Sequence, residues 1–282
     1  MRPAMRWWCV GALLVPLLAG CSFLQAAGLN VDDAGRSLAR GAVQAGAAQL
    51  PIGLEEEMAY GGAIAVQIVQ KYGGLDETPG QWQYVQQLGQ AVAAFSTRAD
   101  LDYHFAVLDS DAVQAVSAPG GYVFVTRGAL AKMHSEAELA GVLAHEVAHI
   151  AARHALTIIQ NVKSRQALTD AAADAWKSAA VFQGVIGKFL DEYLEQGLPK
   201  ESEFEADRLG SETLARLGLS PAGLRDVLRQ LAADEAASGH DAFYRTHPRT
   251  ADRLSRLDAL LPSLGDGPTN QARFAAAMQA SP

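Results

Sequence analysis

The chain has 282 residues, of which 49% are hydrophobic and 19% charged, and its formal net charge is −8. That length and apolar content suit one main domain with appendages better than two equal domains. An acidic balance without any basic run leaves no electrostatic footprint for nucleic acid, which excludes that class of partner; the charge serves solubility.

Taken in order, residues 1–20 carry Arg2 and Arg6 ahead of an apolar run from Trp7 to Leu18. This pattern predicts a secretory signal peptide, too short and wrongly flanked for a spanning helix. Its end, Leu18-Ala19-Gly20-Cys21, resembles the lipobox of bacterial lipoproteins, in which the cysteine becomes the lipidated first residue of the mature chain. Ser22 in the next position, rather than Asp, resembles the pattern routed to the outer membrane. With Cys9 removed and Cys21 carrying lipid, the mature domain is expected to have no disulfide. Residues 21–50, rich in Ala, Gly and Gln, read as a tether between lipid and domain.

The folded domain is expected over 51–261. Met58, Ala65, Ile68 and Val69 predict a helix over 55–72, stopped by Gly73-Gly74. Trp82, Val85, Leu88 and Val92 predict a second over 81–95, with all four inward. The period then changes to that of strands at 103–108, 113–117 and 122–126, the last two separated by the turn Pro119-Gly120-Gly121. The fold class is therefore α+β, mainly α, with a small three- to four-stranded sheet ahead of the next helix.

That helix, 135–154, starts with a capping box, Ser135 and Glu138, and carries Leu139, Val142, Leu143, Val147 and Ile150 on a buried face. Within it lies His145-Glu146-Val147-Ala148-His149, the pattern H-E-x-x-H. Two histidines four apart share one helix face, so their imidazoles can converge on one metal ion. Glu146 is offset around the helix, where a carboxylate reaches the open side of such a site without being a ligand. His154 closes the helix, where a cation suits the dipole, and reads as structural.

Residues 155–198 predict a helical insertion, packed on the domain or lying as a flap over the site. Further helices run from Pro199 to near Gly218 and from Ser220-Pro221 onward, while 262–282, punctuated by Pro and Gly, reads as a peripheral tail. A catalytic zinc takes three protein ligands, and the third is sought in Glu203-Phe204-Glu205-Ala206-Asp207. Glu203 and Asp207 share a face, so one can bind metal while the other orients a histidine ligand. Spacing alone leaves Glu205 open as a competing ligand.

The order of HEVAH at 145–149 and E-x-x-A-D at 203–207, together with EEEMAYGG, SAPGGYVFVTRG and THPRTADRL, resembles the HtpX-like zinc metallopeptidase family. That family includes CAAX prenyl proteases, Oma-type mitochondrial peptidases and periplasmic lipoprotein proteases of outer-membrane quality control. The resemblance implies a zincin-type domain with one Zn2+. It makes His145, His149 and Glu203 the metal ligands, Glu146 the general base and Asp207 an orienting or proton-donating carboxylate. It also places His247, in Thr246-His247-Pro248, near the active site, as a donor to the oxyanion or a cap on the metal. Arg253, six residues on, is then a candidate partner for an acidic group of the site. His104, His134 and His240 match no such pattern and read as ordinary.

The segment 114–121, Q-A-V-S-A-P-G-G, departs from the family's usual N-A-F-A-L-P-G-G. It resembles the edge strand that receives substrate backbone, so the departure bears on side-chain preference more than on activity. The implied function is a zinc endopeptidase acting on polypeptide substrates, misfolded outer-membrane proteins above all. It would be a lipoprotein on the periplasmic face of the outer membrane, held by lipid on Cys21 and near the outer-membrane assembly machinery. The alternatives are an assembly scaffold with latent proteolysis, and a structural zinc protein with four protein ligands.

Overall fold

The structure is a computed structural model that describes residues 51–78, 80–169, 179–238, 247 and 250–279. The signal peptide, Cys21, the tether and His240 lie outside the described residues. The elements are α1 (Leu54–Lys71), α2 (Gln81–Ala93), β1 (His104–Leu108), β2 (Ala115–Ala118), β3 (Tyr122–Thr126), α3 (Arg127–Leu130), α4 (Glu136–Ala151) and α5 (His154–Thr169). There follow α6 (Ala179–Gln196), α7 (Lys200–Leu217), α8 (Gly223–Ser238), α9 (Thr250–Leu260), a short 3-10 turn (Leu261–Ser263) and α10 (Gln271–Gln279). The mainly helical α+β class is as the periodicity implies. Among the described residues no helix is long and apolar enough to cross a membrane.

The sheet has the order β1-β3-β2, with β1 parallel and β2 antiparallel to β3. All residues of β2 and β3 are buried. The reason is that successive side chains of a strand point to opposite faces, and here each face is covered by helices. Phe105, Val107, Ala115, Val123 and Val125 join the layer of α2, α4 and α8. Ala106, Leu108, Val116, Phe124 and Tyr122 join the layer of α1, α5 and α6. The described parts of the 155–198 segment are thus packed on the domain, with Ile159, Ile186 and Phe189 fully buried in that second layer.

Three expectations are corrected. Trp82 lies in the first turn of α2, ahead of the packed residues, and stays 37% exposed. The 135–154 helix stops at Ala151 because Arg153 adopts φ 61, a left-handed conformation that the helix cannot continue. His154 therefore opens α5 instead of closing α4. The tail is less peripheral than its punctuation suggests: Phe274 is buried in the core, and Asn270 and Arg273 both donate to the buried Glu136 at the start of α4.

α4 itself is buried on every side rather than along one stripe. Ser135 caps it by accepting from Glu138 N at 3.2 Å, while the Glu138 carboxylate accepts from His134 N at 2.7 Å rather than from Ser135 N. α7 crosses α4 closely at Gly210, where an added Cβ would come within 3.1 Å of His145 N. α1 meets the turn after β2 at Gly61, where a Cβ would sit 1.9 Å from Pro119 O. Gly61→Ala is expected to push α1 away from that turn and cost about 1–3 kcal/mol, as overpacking does. Urea denaturation checks this, and an unchanged midpoint would show that α1 can shift freely.

Candidate active site

α4 carries His145 and His149 one turn apart, and their Nε2 atoms are 2.9 Å from each other. α7 brings Glu203 across the Gly210 crossing, so that Oε2 lies 3.5 Å from His145 Nε2 and Oε1 3.5 Å from His149 Nε2. His247 completes the group: its Nδ1 lies 3.0 Å from both Glu203 oxygens and 3.4 Å from His145 Nε2. All four side chains are buried, and their potential ligand atoms lie within 4.8 Å of one another.

Behind this group stand the residues that hold it. Asp207 Oδ1 is 3.0 Å from His145 Nδ1. Arg253, on α9 and only 1% exposed, donates to Asp207 Oδ2 from Nε at 2.9 Å and to Oδ1 from a terminal nitrogen at 2.7 Å. Its other terminal nitrogen is 3.0 Å from Glu203 Oε2. His154, read from sequence as a dipole partner, instead places its Nδ1 2.8 Å from His149 Nδ1. The left-handed turn at Arg153 swings it back onto the preceding helix. Glu205 points to the outer side of α7, half-exposed, with Oε2 3.3 Å from His154 Nε2. The choice that spacing left open between Glu203 and Glu205 is therefore one of helix face: Glu203 is in the donor group and Glu205 is outside it.

Glu146 lies beside the donors without joining them. Its Oε2 accepts from Ser117 Oγ at 2.7 Å, and its Oε1 is 3.3 Å from His247 Nε2. Ser117 belongs to β2, and Tyr193 of α6 lines the same cavity as it. Sequence reading missed Ser117, His154 and Tyr193 as parts of the site. Only the period-2 alternation of β2 hinted that Ser117 and Ala115 face α4.

A model of Peptidase family M48 matches residues 79–261, well over half of the chain. The chain belongs to peptidase family M48. The resemblance to HtpX-like metallopeptidases holds at the level of this family. Mitochondrial metalloendopeptidase OMA1 of Schizosaccharomyces pombe is 29% identical over 181 residues, which cover 64% of this chain and 52% of that protein. The beta-barrel assembly-enhancing protease of Yersinia pestis is 27% identical over 214 residues, 72% of this chain and 43% of that one. Metalloprotease LoiP of Escherichia coli K12 is 27% identical over 146 residues, 51% of this chain and 57% of its own. The chain thus spans about half the length of the curated relatives it matches.

Whether this M48 site suits a zinc ion can be asked of its donors. Zinc bonds of about 2.0–2.1 Å in a tetrahedron put neighbouring ligand atoms roughly 3.3 Å apart. The separations among His145, His149 and Glu203, 2.9 to 3.5 Å, bracket that value. Electrostatics agree with the chemistry of the set. Burial holds the His149 pKa well below its ordinary value, which keeps a neutral imidazole as ligation requires. For Glu203 burial opposes ionisation, but His247 and Arg253 outweigh it and hold the carboxyl well below the usual range. Asp207 is treated alike, with Arg253 prevailing over burial. Burial also opposes charge on His247, yet Glu203 and Glu146 carry its pKa up to about 10. The residues fit a zinc ion.

Proposed function

We propose that the chain is a zinc endopeptidase in which His145, His149 and Glu203 hold the metal and Glu146 is the general base. The observation that carries this reading is the position of Glu146. Its carboxylate is buried against the donor group and bound by Ser117, yet it is not one of the donors. A zinc ion bound there supplies Lewis acidity, polarising a peptide carbonyl and lowering the pKa of water. Glu146 takes the proton of the attacking water and delivers it to the leaving amine nitrogen. Asp207 fixes the ring of His145 through Nδ1, and Arg253 fixes Asp207, so the donor atoms keep their aim.

Substrate backbone is received on β2. It is an edge strand of the sheet, and Thr126 N donates to Gln114 O. By antiparallel alternation Ala115 and Ser117 then turn their amides and carbonyls to the unpaired side. Main-chain pairing of this kind tolerates varied side chains, as suits cleavage of misfolded chains. Tyr193 lines the same cavity as Ser117.

The substrate proposal, misfolded or unassembled outer-membrane proteins, draws support from the bacterial relatives called beta-barrel assembly-enhancing protease. The proposed location is the periplasmic face of the outer membrane, through lipid on Cys21. The first 21 residues support it. An assembly scaffold with latent proteolysis is the alternative within the same compartment. A closed structural zinc site is a second reading, and one observation favours it: His247 offers a fourth donor. On the peptidase reading His247, kept protonated between Glu203 and Glu146, would donate to the developing oxyanion.

Metal analysis with casein cleavage tests these readings together. The purified protein is expected to hold a single zinc and to cleave. A chelator should abolish cleavage and added zinc restore it. Zinc-loaded protein that never cleaves unfolded substrate would favour the structural or scaffold reading.

A further inference from the structure

We propose that Ser117 is a positioning residue for the general base, its hydroxyl committing one oxygen of Glu146 so that the other faces the reacting water. The inference rests on the assignment of Glu146 as base given above. Ser117 is 3% exposed and Glu146 1%, and Oγ donates to Oε2 over 2.7 Å. A hydroxyl bonded to a carboxylate at that distance is a strong, charge-assisted contact. It leaves Oε1 on the side of the donor group, where His247 Nε2 lies 3.3 Å away. Without Ser117, burial would leave Oε2 without its hydroxyl donor and the carboxylate's last torsion fixed less firmly, from the His247 side.

The residue's place in β2 makes it more than a local staple. Its side chain points to α4 while its amide and carbonyl face the edge on which substrate backbone is received. One position therefore touches substrate through its backbone and holds the base through its side chain. It is also a position where the chain departs from the usual N-A-F-A-L-P-G-G, which has alanine there and so lacks the donor.

The test compares wild type, Ser117→Ala, Ser117→Cys and Ser117→Thr on a fluorogenic peptide, with zinc content and melting temperature measured for each. Alanine should lower kcat roughly tenfold or more, a part of what a positioned base contributes, while KM and zinc content stay within about twofold. Cysteine, close in volume but a weak donor, should stay as low as alanine. Threonine keeps the hydroxyl and should recover most of kcat. The proposal is overturned if alanine or cysteine retains kcat within about twofold of wild type. It is equally overturned if the loss appears in zinc content or melting temperature instead, because that marks a structural role. Glu146→Gln in parallel separates the two levels. If it cleaves normally, the base assignment itself fails; if it is inactive while Ser117→Ala is normal, only the positioning role fails.

Discussion

Glu146→Gln is expected to abolish peptide cleavage, by at least about 10²–10⁴-fold in kcat, while zinc content is unchanged. Glutamine has the shape of the carboxylate, so the contact with Ser117 at 2.7 Å can persist and the donor group need not move. What it lacks is the capacity to accept a proton. Because Glu146 is outside the cluster of His145, His149, Glu203 and His247, metal retention is the natural companion of lost activity. Single-turnover cleavage of a fluorogenic peptide, with metal content measured on the same sample, checks both halves. Cleavage within tenfold of wild type would sink the mechanism. Loss of zinc would instead make Glu146 a ligand. In cells lacking the native protein, the same variant separates protease from scaffold, since a scaffold survives the change.

Much of this site was legible in the sequence because its first part is local. His145, Glu146 and His149 lie within five consecutive residues of one helix, and the 3.6-residue period alone places them. Glu203 was harder. Periodicity puts Glu203 and Asp207 on one face of α7 and Glu205 on another, but which face meets α4 is decided by the crossing at Gly210, a long-range contact. His154 was misread for a different reason. The helical pattern of 135–154 continues through Arg153, and nothing in composition announces a left-handed residue there that is neither Gly nor Asn. Ser117 and Tyr193 come from a strand and a helix far apart in the chain, so no spacing rule could join them. Trp82 and the 262–282 segment show the same limit in the core. A period tells which face is apolar, but not where packing begins or whether Phe274 finds a pocket.

Arg253→Met is expected to destabilise the fold by about 3–5 kcal/mol, the usual result of leaving buried charges without their partner. The guanidinium is 1% exposed and binds both oxygens of Asp207 and one of Glu203, each carboxylate itself almost fully buried. Methionine fills much of the same volume, so the loss reports charge and hydrogen bonding more than a cavity. A bound zinc compensates Glu203 directly but Asp207 only through the His145 ring, so metal should recover only part of the stability. Asp207→Asn in the Arg253→Met background removes the uncompensated charge and should return part of it as well, which a double-mutant cycle reads as coupling. Arg253→Lys should fall between, because an ammonium is a single point charge and cannot reproduce the two-pronged contact with Asp207. Urea denaturation of five proteins (wild type, Arg253→Met, Asp207→Asn, the double variant and Arg253→Lys), with and without zinc, makes the measurement. A cost below about 1 kcal/mol for Arg253→Met would show that water reaches the carboxylates and that Asp207 does not depend on Arg253 for its ionised form. Asp207 could then not be counted on to hold the His145 ring, and the support assigned to α9 would have to be withdrawn.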